Sequence, residues 1–237
     1  MPLTTTADLL RLLTREPGRP RLTWYGDGGE RVELSGAVLE NWVSKTANLL
    51  LEEFDAEPGT RVRLDLPGHW RTVVWALAAW HVGATVVVGA DGAADDVVVT
   101  DRPDEHPGAP TLVAVALPAL ARTFGAPLPG GAIDAASAVM TYGDAFGGDP
   151  RTGAQARLDT AADGSRTIGQ VLEPDASATA GARELLTADP RGAAATLVRA
   201  CTVLAGAGSV VLVSAEVAGD PGRLARLRHT ERVSPPS

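Results

Sequence analysis

The sequence holds one lysine, Lys45, and one cysteine, Cys201, in 237 residues. A lone thiol excludes any disulfide within the chain. Its place in an apolar helical pattern fits a reducing compartment, so a cytoplasmic location is expected. Positive charge is short overall: the formal net charge of −8 leaves no basic face of the kind that nucleic-acid phosphates or anionic lipid require. Neither nucleic acid nor membrane is expected as a partner. No apolar run reaches the roughly 20 residues of a spanning helix. The longest, Val73 to Ala90, contains His81 and Gly83 and reads as a buried helix followed by a buried strand. The opening MPLTTTADLLRLLTREPG lacks the basic segment, apolar core and cleavage site of a secretory signal. There is no GxSxG elbow, which removes the usual hydrolase nucleophile.

Hydrophobic residues make up 45% and charged residues 21%, the balance of an ordinary folded protein. The length suits one large α/β domain or two small ones. The bias toward Ala, Gly, Arg and Asp fits a GC-rich genome, and it makes loose motifs of these residues frequent by chance.

Ala7 to Thr14 reads as a short amphipathic helix. LTWYG from Leu22 and RVELS from Arg31 read as a hairpin, with Gly28 and Gly29 supplying positive φ at the turn. From Ser35, a capping residue, Leu39, Trp42, Val43, Thr46 or Ala47, Leu50 and Phe54 recur at helical spacing. TRVRLDL, the helix from Trp70 to His81 closed by Gly83, and ATVVVG then run β, α, β. That order predicts a parallel sheet with a right-handed crossover. DVVVTD (96–101) and TLVAVAL (111–117) extend it. The stretch 125–157 is loop-rich with one strand, SAVMTYG (137–143), and 159–184 is weakly patterned. A helix over 189–205, the strand SVVLVS and a helix over 220–229 finish the chain.

These residues resemble the start of the adenylate-forming superfamily, which includes acyl-CoA synthetases and peptide-synthetase adenylation domains. The resemblance rests on the hairpin, the helix spanning Glu33 to Leu50, the PGTRV turn and the LPGHWRTVVWALAAWHVGA helix. A fainter match runs from LVRACTVLAGAGSVVLVS to GRLARLRHTERVS. The whole is similar to short actinobacterial proteins of unassigned function that keep only this N-terminal part. The resemblance implies a three-layer α/β fold, a mainly parallel sheet with helices on both faces. As one domain of this truncated type it divides into a first α/β part (1–124), a loop-rich middle (125–186) and a helix–strand–helix end (187–237).

Adenylation needs a loop rich in Ser, Thr and Gly ending in lysine, whose amides and ammonium hold ATP phosphates. The nearest segment is DTAADGSRTIGQVL (159–172). Gly164, Ser165, Arg166, Thr167 and Gly169 are therefore the expected remnant of a nucleotide site, without its lysine. Arg166 does not replace a small mobile ammonium. Lys45 lies on the first long helix, and the downstream adenine, ribose and Mg²⁺ motifs and the lid domain are not in the sequence. The expectation is a pseudo-enzyme: a non-catalytic binding or interaction module with no cofactor, completed by a homo-oligomeric or protein partner over an edge left bare. The alternative is a residual nucleotide or acyl-ligand binder (ATP, AMP or CoA), or the N-terminal half of a split enzyme. A complete small enzyme of unrelated chemistry is the third class.

Three further constellations are set aside. DRPDEHPG, with Asp101, Asp104, Glu105 and His106, reads as a solvated acidic loop rather than a metal site. His69 and His81 read as capping or packing residues, and GAGSVV (206–211) is too short a match to a dinucleotide motif. Trp70, Trp75 and Trp80 spread around one helix at about 100° per residue, so at least one is expected to mark a partner surface, or the place where the rest of an adenylate-forming enzyme would pack.

Overall fold

The computed structural model describes residues 2–90, 94–175, 179–189 and 193–234. Helix α1 (Thr6–Leu13) starts at a capping box in which Thr5 accepts from Asp8 N and Asp8 returns the bond to the Thr5 backbone. Strands β1 (Pro20–Tyr25) and β2 (Arg31–Ser35) pair antiparallel across a turn in which Gly28 and Gly29 have φ of 61° and 86°. Helix α2 (Gly36–Phe54) follows, capped by Ser35 on Val38 N. The expected β, α, β unit is β3 (Arg61–Asp65), α3 (Trp70–His81) and β4 (Thr85–Val88), with β3 and β4 parallel. Gly83 turns the chain between α3 and β4 at a φ of 90°.

Strands β5 (Val97–Thr100), β6 (Leu112–Ala114) and β7 (Ile133–Asp134) add on one side of β3. Beyond β7 lies the short helix α4 (Ala135–Ala138), and β8 (Arg157–Thr160) and β9 (Gly164–Thr167) add beside β4. The seven-stranded order is β7-β6-β5-β3-β4-β8-β9, parallel throughout except for β9. Next come α5 (Ile168–Val171), β10 (Arg183–Thr187), α6 (Ala194–Ala205), β11 (Ser209–Val213), α7 (Ala215–Ala218) and α8 (Pro221–Thr230). Here β10, β11, β1 and β2 make a second sheet in that order, so the opening hairpin is completed by strands from the far end of the chain.

The α/β class with mainly parallel strands is the one that forms, with the strands divided between two sheets. Helix α3 lies between them, touching β1 in one sheet, β3 and β4 in the other, and α1, α2 and α6 around its sides. Every residue of α3 is buried, including Trp70, Trp75 and Trp80. This corrects the expectation that one of the three indoles faces a partner. A helix enclosed on all sides has no outward stripe to spare. Its one charged residue, Arg71, lies over the faces of Trp42 and Trp70, at 5.6 and 4.3 Å from the ring centroids.

Residues 137–143, read from sequence as a strand, are not one. Asp134 accepts from Ala136 N at 2.9 Å and starts α4, which runs into a 3₁₀ turn over Val139–Thr141. The cap and the alanines outweigh the short Val-Met-Thr run. The chain that follows is strapped onto α2 by Asn48. Its Nδ2 donates to Gly143 O (3.1 Å) and Ala145 O (2.8 Å), and its Oδ1 accepts from Gly147 N (2.9 Å). Helix α6 begins at Ala194, five residues after the expected start, and part of that expectation lies outside the described residues.

Candidate functional site

In open α/β sheets, ligands bind where the carboxyl ends of parallel strands diverge. Both sheets present these ends on one face, and two clefts open there. The larger, about 810 Å³, is floored by the ends of β3, β4, β5 and β8 and walled by Ala193, Ala194 and Ala195 at the start of α6. The smaller, about 410 Å³, lies at the ends of β1 and β11 beside the start of α3. Pro67 lines both. Next to it, Gly68 N donates to Asp189 O at 2.9 Å and joins the β3–α3 corner to the chain leaving β10.

The larger cleft is acidic. It is lined by Asp65, Asp101, Asp163 and Asp189, with Arg102 as its one cationic side chain among the described residues. Arg102 is already engaged: it binds Asp65 at 2.9 Å and Glu105 at 2.8 Å. Asp65 also accepts from Thr100 Oγ1 (3.1 Å) and bonds His106 Nε2 (2.8 Å). Burial works against ionisation of Asp65, but these hydrogen bonds and the Arg102 charge prevail and hold its pKa below the ordinary carboxylate value. Asp101 behaves in the opposite sense. Burial raises its pKa, and the neighbouring Asp65 and Glu105 charges add to the rise. The acidic loop 101–106 thus spends its His and Arg on Asp65, and no cluster of three metal-ligating side chains forms among the described residues.

The five residues expected as a phosphate-loop remnant occupy other roles. Gly164, Ser165, Arg166 and Thr167 form edge strand β9, in register with Thr160, Asp159, Leu158 and Arg157 of β8. Ser165 Oγ accepts from Arg157 Nε at 2.8 Å, Arg166 pairs with Asp163 at 3.3 Å, and Thr167 caps α5, which contains Gly169. None of the five lines the larger cleft. The part of the segment that does is the turn just before them, Thr160 to Asp163, whose Asp163 N–H is taken by Thr160 Oγ1 at 3.0 Å. Lys45 is also remote from it: its ammonium donates to Tyr142 O (2.6 Å) and pairs with Asp144 (2.5 Å).

Sequence reasoning passed over Asp65 and Asp163 as site residues and set Asp101 aside as part of a solvated acidic loop. Each stands at or just beyond the carboxyl end of a strand that the pattern had located or whose loop it had quoted, and the strand-end rule would have found them. His69 was read as a capping or packing residue, and it caps: Nδ1 accepts from Arg71 N at 3.3 Å. The glycines at 206 and 208 lie in the turn from α6 to β11, helix before strand, the reverse of the order a dinucleotide motif needs.

No family model matches the chain. A "TIGR03089 family protein" of Mycobacterium tuberculosis (strain ATCC 25618 / H37Rv) is 37% identical over 186 residues, which cover 75% of this chain and 73% of that protein. Solved structures that share the fold include two synthetases. The Brucella canis acyl-CoA synthetase matches with a TM-score of 0.63 at 16% identity, over 88% of this chain and 43% of that one. The acetoacetyl-CoA synthetase of Streptomyces lividans matches with a TM-score of 0.67 at 18% identity, over 97% of this chain and 44% of that one. The chain therefore spans less than half the length of these two synthetases.

Proposed function

The chain belongs to the TIGR03089 family, and on that premise we propose that it is a binding or interaction module built on part of the acyl-CoA synthetase fold, and does not itself adenylate carboxylic acids. The observation that supports this is the larger cleft. Among the described residues, four carboxylates line it and its single arginine is shared between Asp65 and Glu105, and the chain's one lysine is tied to Tyr142 and Asp144 on another element. A triphosphate brings several negative charges. Backbone amides and a mobile ammonium would have to meet them, and here the turn that borders the cleft has given the Asp163 amide to Thr160.

A second reading, residual nucleotide or acyl-ligand binding, is favoured by the cleft's size and by its place at the strand ends. Titration calorimetry of the purified chain with Mg-ATP, AMP, CoA and a fatty-acid panel separates the two. The proposal expects no heat of binding from any of them. Micromolar binding of a nucleotide, CoA or a fatty acid would overturn it in favour of the second reading, and ATP–pyrophosphate exchange that depends on an added carboxylic acid, by the chain alone, would overturn both.

A further inference from the structure

The smaller cleft shares only Pro67 with the larger one, so what it binds is independent of the adenylation reading. Its walls are apolar over the indole of Trp24, Pro67, Leu117, Pro118 and Ala188. At its base is His69, 3% exposed. Because Nδ1 accepts from Arg71 N at 3.3 Å, the ring proton sits on Nε2, and that accepted bond is the ring's one hydrogen bond among the described residues; the ring packs at 73° to the Trp24 indole, 4.5 Å between centroids. Burial first, and the Arg71 charge second, push the His69 pKa down to about 3, which keeps the ring neutral. Ser214 also lines the cleft. It accepts from Val217 N at 3.3 Å, and its hydroxyl proton is left to donate.

The charges at the rim decide what these donors can meet. Asp27, Glu30 and Glu216 line the cleft, and no cationic side chain does so among the described residues. Glu30 is fixed by Trp24 Nε1 (2.8 Å) and Ala119 N (2.7 Å). Arg223 stands 3.8 Å from Glu216 and does not line the cleft. The start of α3 adds about half a positive charge, too little to reverse the sign. A carboxylate or phosphate ligand would be repelled. A ligand with an acceptor at the base and weak donors at the rim would be matched.

We propose that this cleft binds an uncharged amide with an apolar or aromatic body, its carbonyl oxygen accepting from His69 Nε2 and its N–H groups turned to the carboxylate rim. The probes are phenylacetamide, phenylacetate and phenethylamine, which share one body and differ in charge. Calorimetry on the full chain at neutral pH should show phenylacetamide binding in the millimolar range of so small a molecule, with phenylacetate about tenfold weaker or absent. His69→Asn keeps a good N-cap residue and removes the Nε2 donor. It should weaken the amide by about tenfold, as one lost hydrogen bond to a buried donor does.

Equal or tighter binding of phenylacetate or phenethylamine, no amide binding, or an unchanged amide affinity in His69→Asn would each overturn the proposal. Should that variant fail to fold, the His69 ring proton resonances of the wild-type chain decide. They must shift on adding phenylacetamide, and unmoved signals refute the site.

Discussion

Replacing Asn48 by alanine tests how the loop-rich middle is held. Asn48 is buried on α2 and makes three hydrogen bonds to the strap over 142–148, with Gly143 O, Ala145 O and Gly147 N. A typical intramolecular hydrogen bond contributes about 1 kcal/mol net, and a buried partner left unpaired costs more. Water can reach part of the strap once it loosens, so the expected loss is about 2 to 3 kcal/mol. For a chain of this length that is about 5 to 10 °C in melting temperature. The strap has other anchors: Lys45 on Tyr142 O, the Tyr142 hydroxyl on Glu53, and Phe146 stacked 4.1 Å from His81. Fold and sheets should therefore survive, and the damage should be local. Urea unfolding gives the global figure, and native-state hydrogen exchange at the Gly147 amide gives the local one. Asn48→Asp is the sharper comparison, since it keeps an acceptor for Gly147 but sets a carboxylate against two carbonyls, and it should be at least as destabilising. A loss below about 0.5 kcal/mol with unchanged exchange at Gly147 would refute the view that Asn48 pins the strap.

Stability should fall with acid through two buried histidines. Burial lowers the pKa of His69 to about 3 and of His81 to about 4, from an ordinary 6.5. The unfolded chain therefore takes up protons below pH 6.5 that the folded chain refuses, and stability is lost between pH 6.5 and about pH 4, by up to about 1.4 kcal/mol per pH unit for each ring. Urea midpoints from pH 7.5 to 4.5 check this, and His81→Phe should remove about half of the slope; a flat profile for the wild type would contradict the burial account. Gly83→Ala should cost more than about 2 kcal/mol, because at φ of 90° a Cβ would stand 2.7 Å from Thr152 O and 2.9 Å from Pro58 Cγ. Gly89→Ala, also at positive φ but in open space, should cost only about 1 kcal/mol, and equal melting temperatures for the two variants would remove the steric part of the argument.

The elements whose signals are local were legible. Ser35 and Gly83 mark helix ends, β3 alternates, and Gly28 and Gly29 sit where the hairpin needs positive φ. Partner choice was not legible, because nothing near β1 says that Leu22 will lie beside Val210. That pairing alone turns one expected sheet into two. It also explains the tryptophans: a helical wheel assumes one wet side, and α3 has none once two sheets enclose it. For the site, the sequence pointed to the segment 159–172, but the cleft takes the turn at its start and leaves the glycines and Thr167 to a hairpin edge and a cap. A loop motif gives composition, whereas register with β8 decides which of its residues reach the cleft.

Gly68 has a mechanical meaning beyond its hydrogen bond. A Cβ there would meet Asp189 N at 2.9 Å, Ala188 Cα at 3.0 Å and the Ala188 methyl at 3.2 Å, so the corners after β3 and β10 pack almost backbone to backbone, with only that methyl beside the contact. Packed protein transmits displacement and has little slack to absorb it. The corner behaves as a partition between two rooms: moving it toward one cleft takes volume from that cleft and gives it to the other. A wedge at position 68 would instead push the two sheets apart at their carboxyl ends and open both rooms at once.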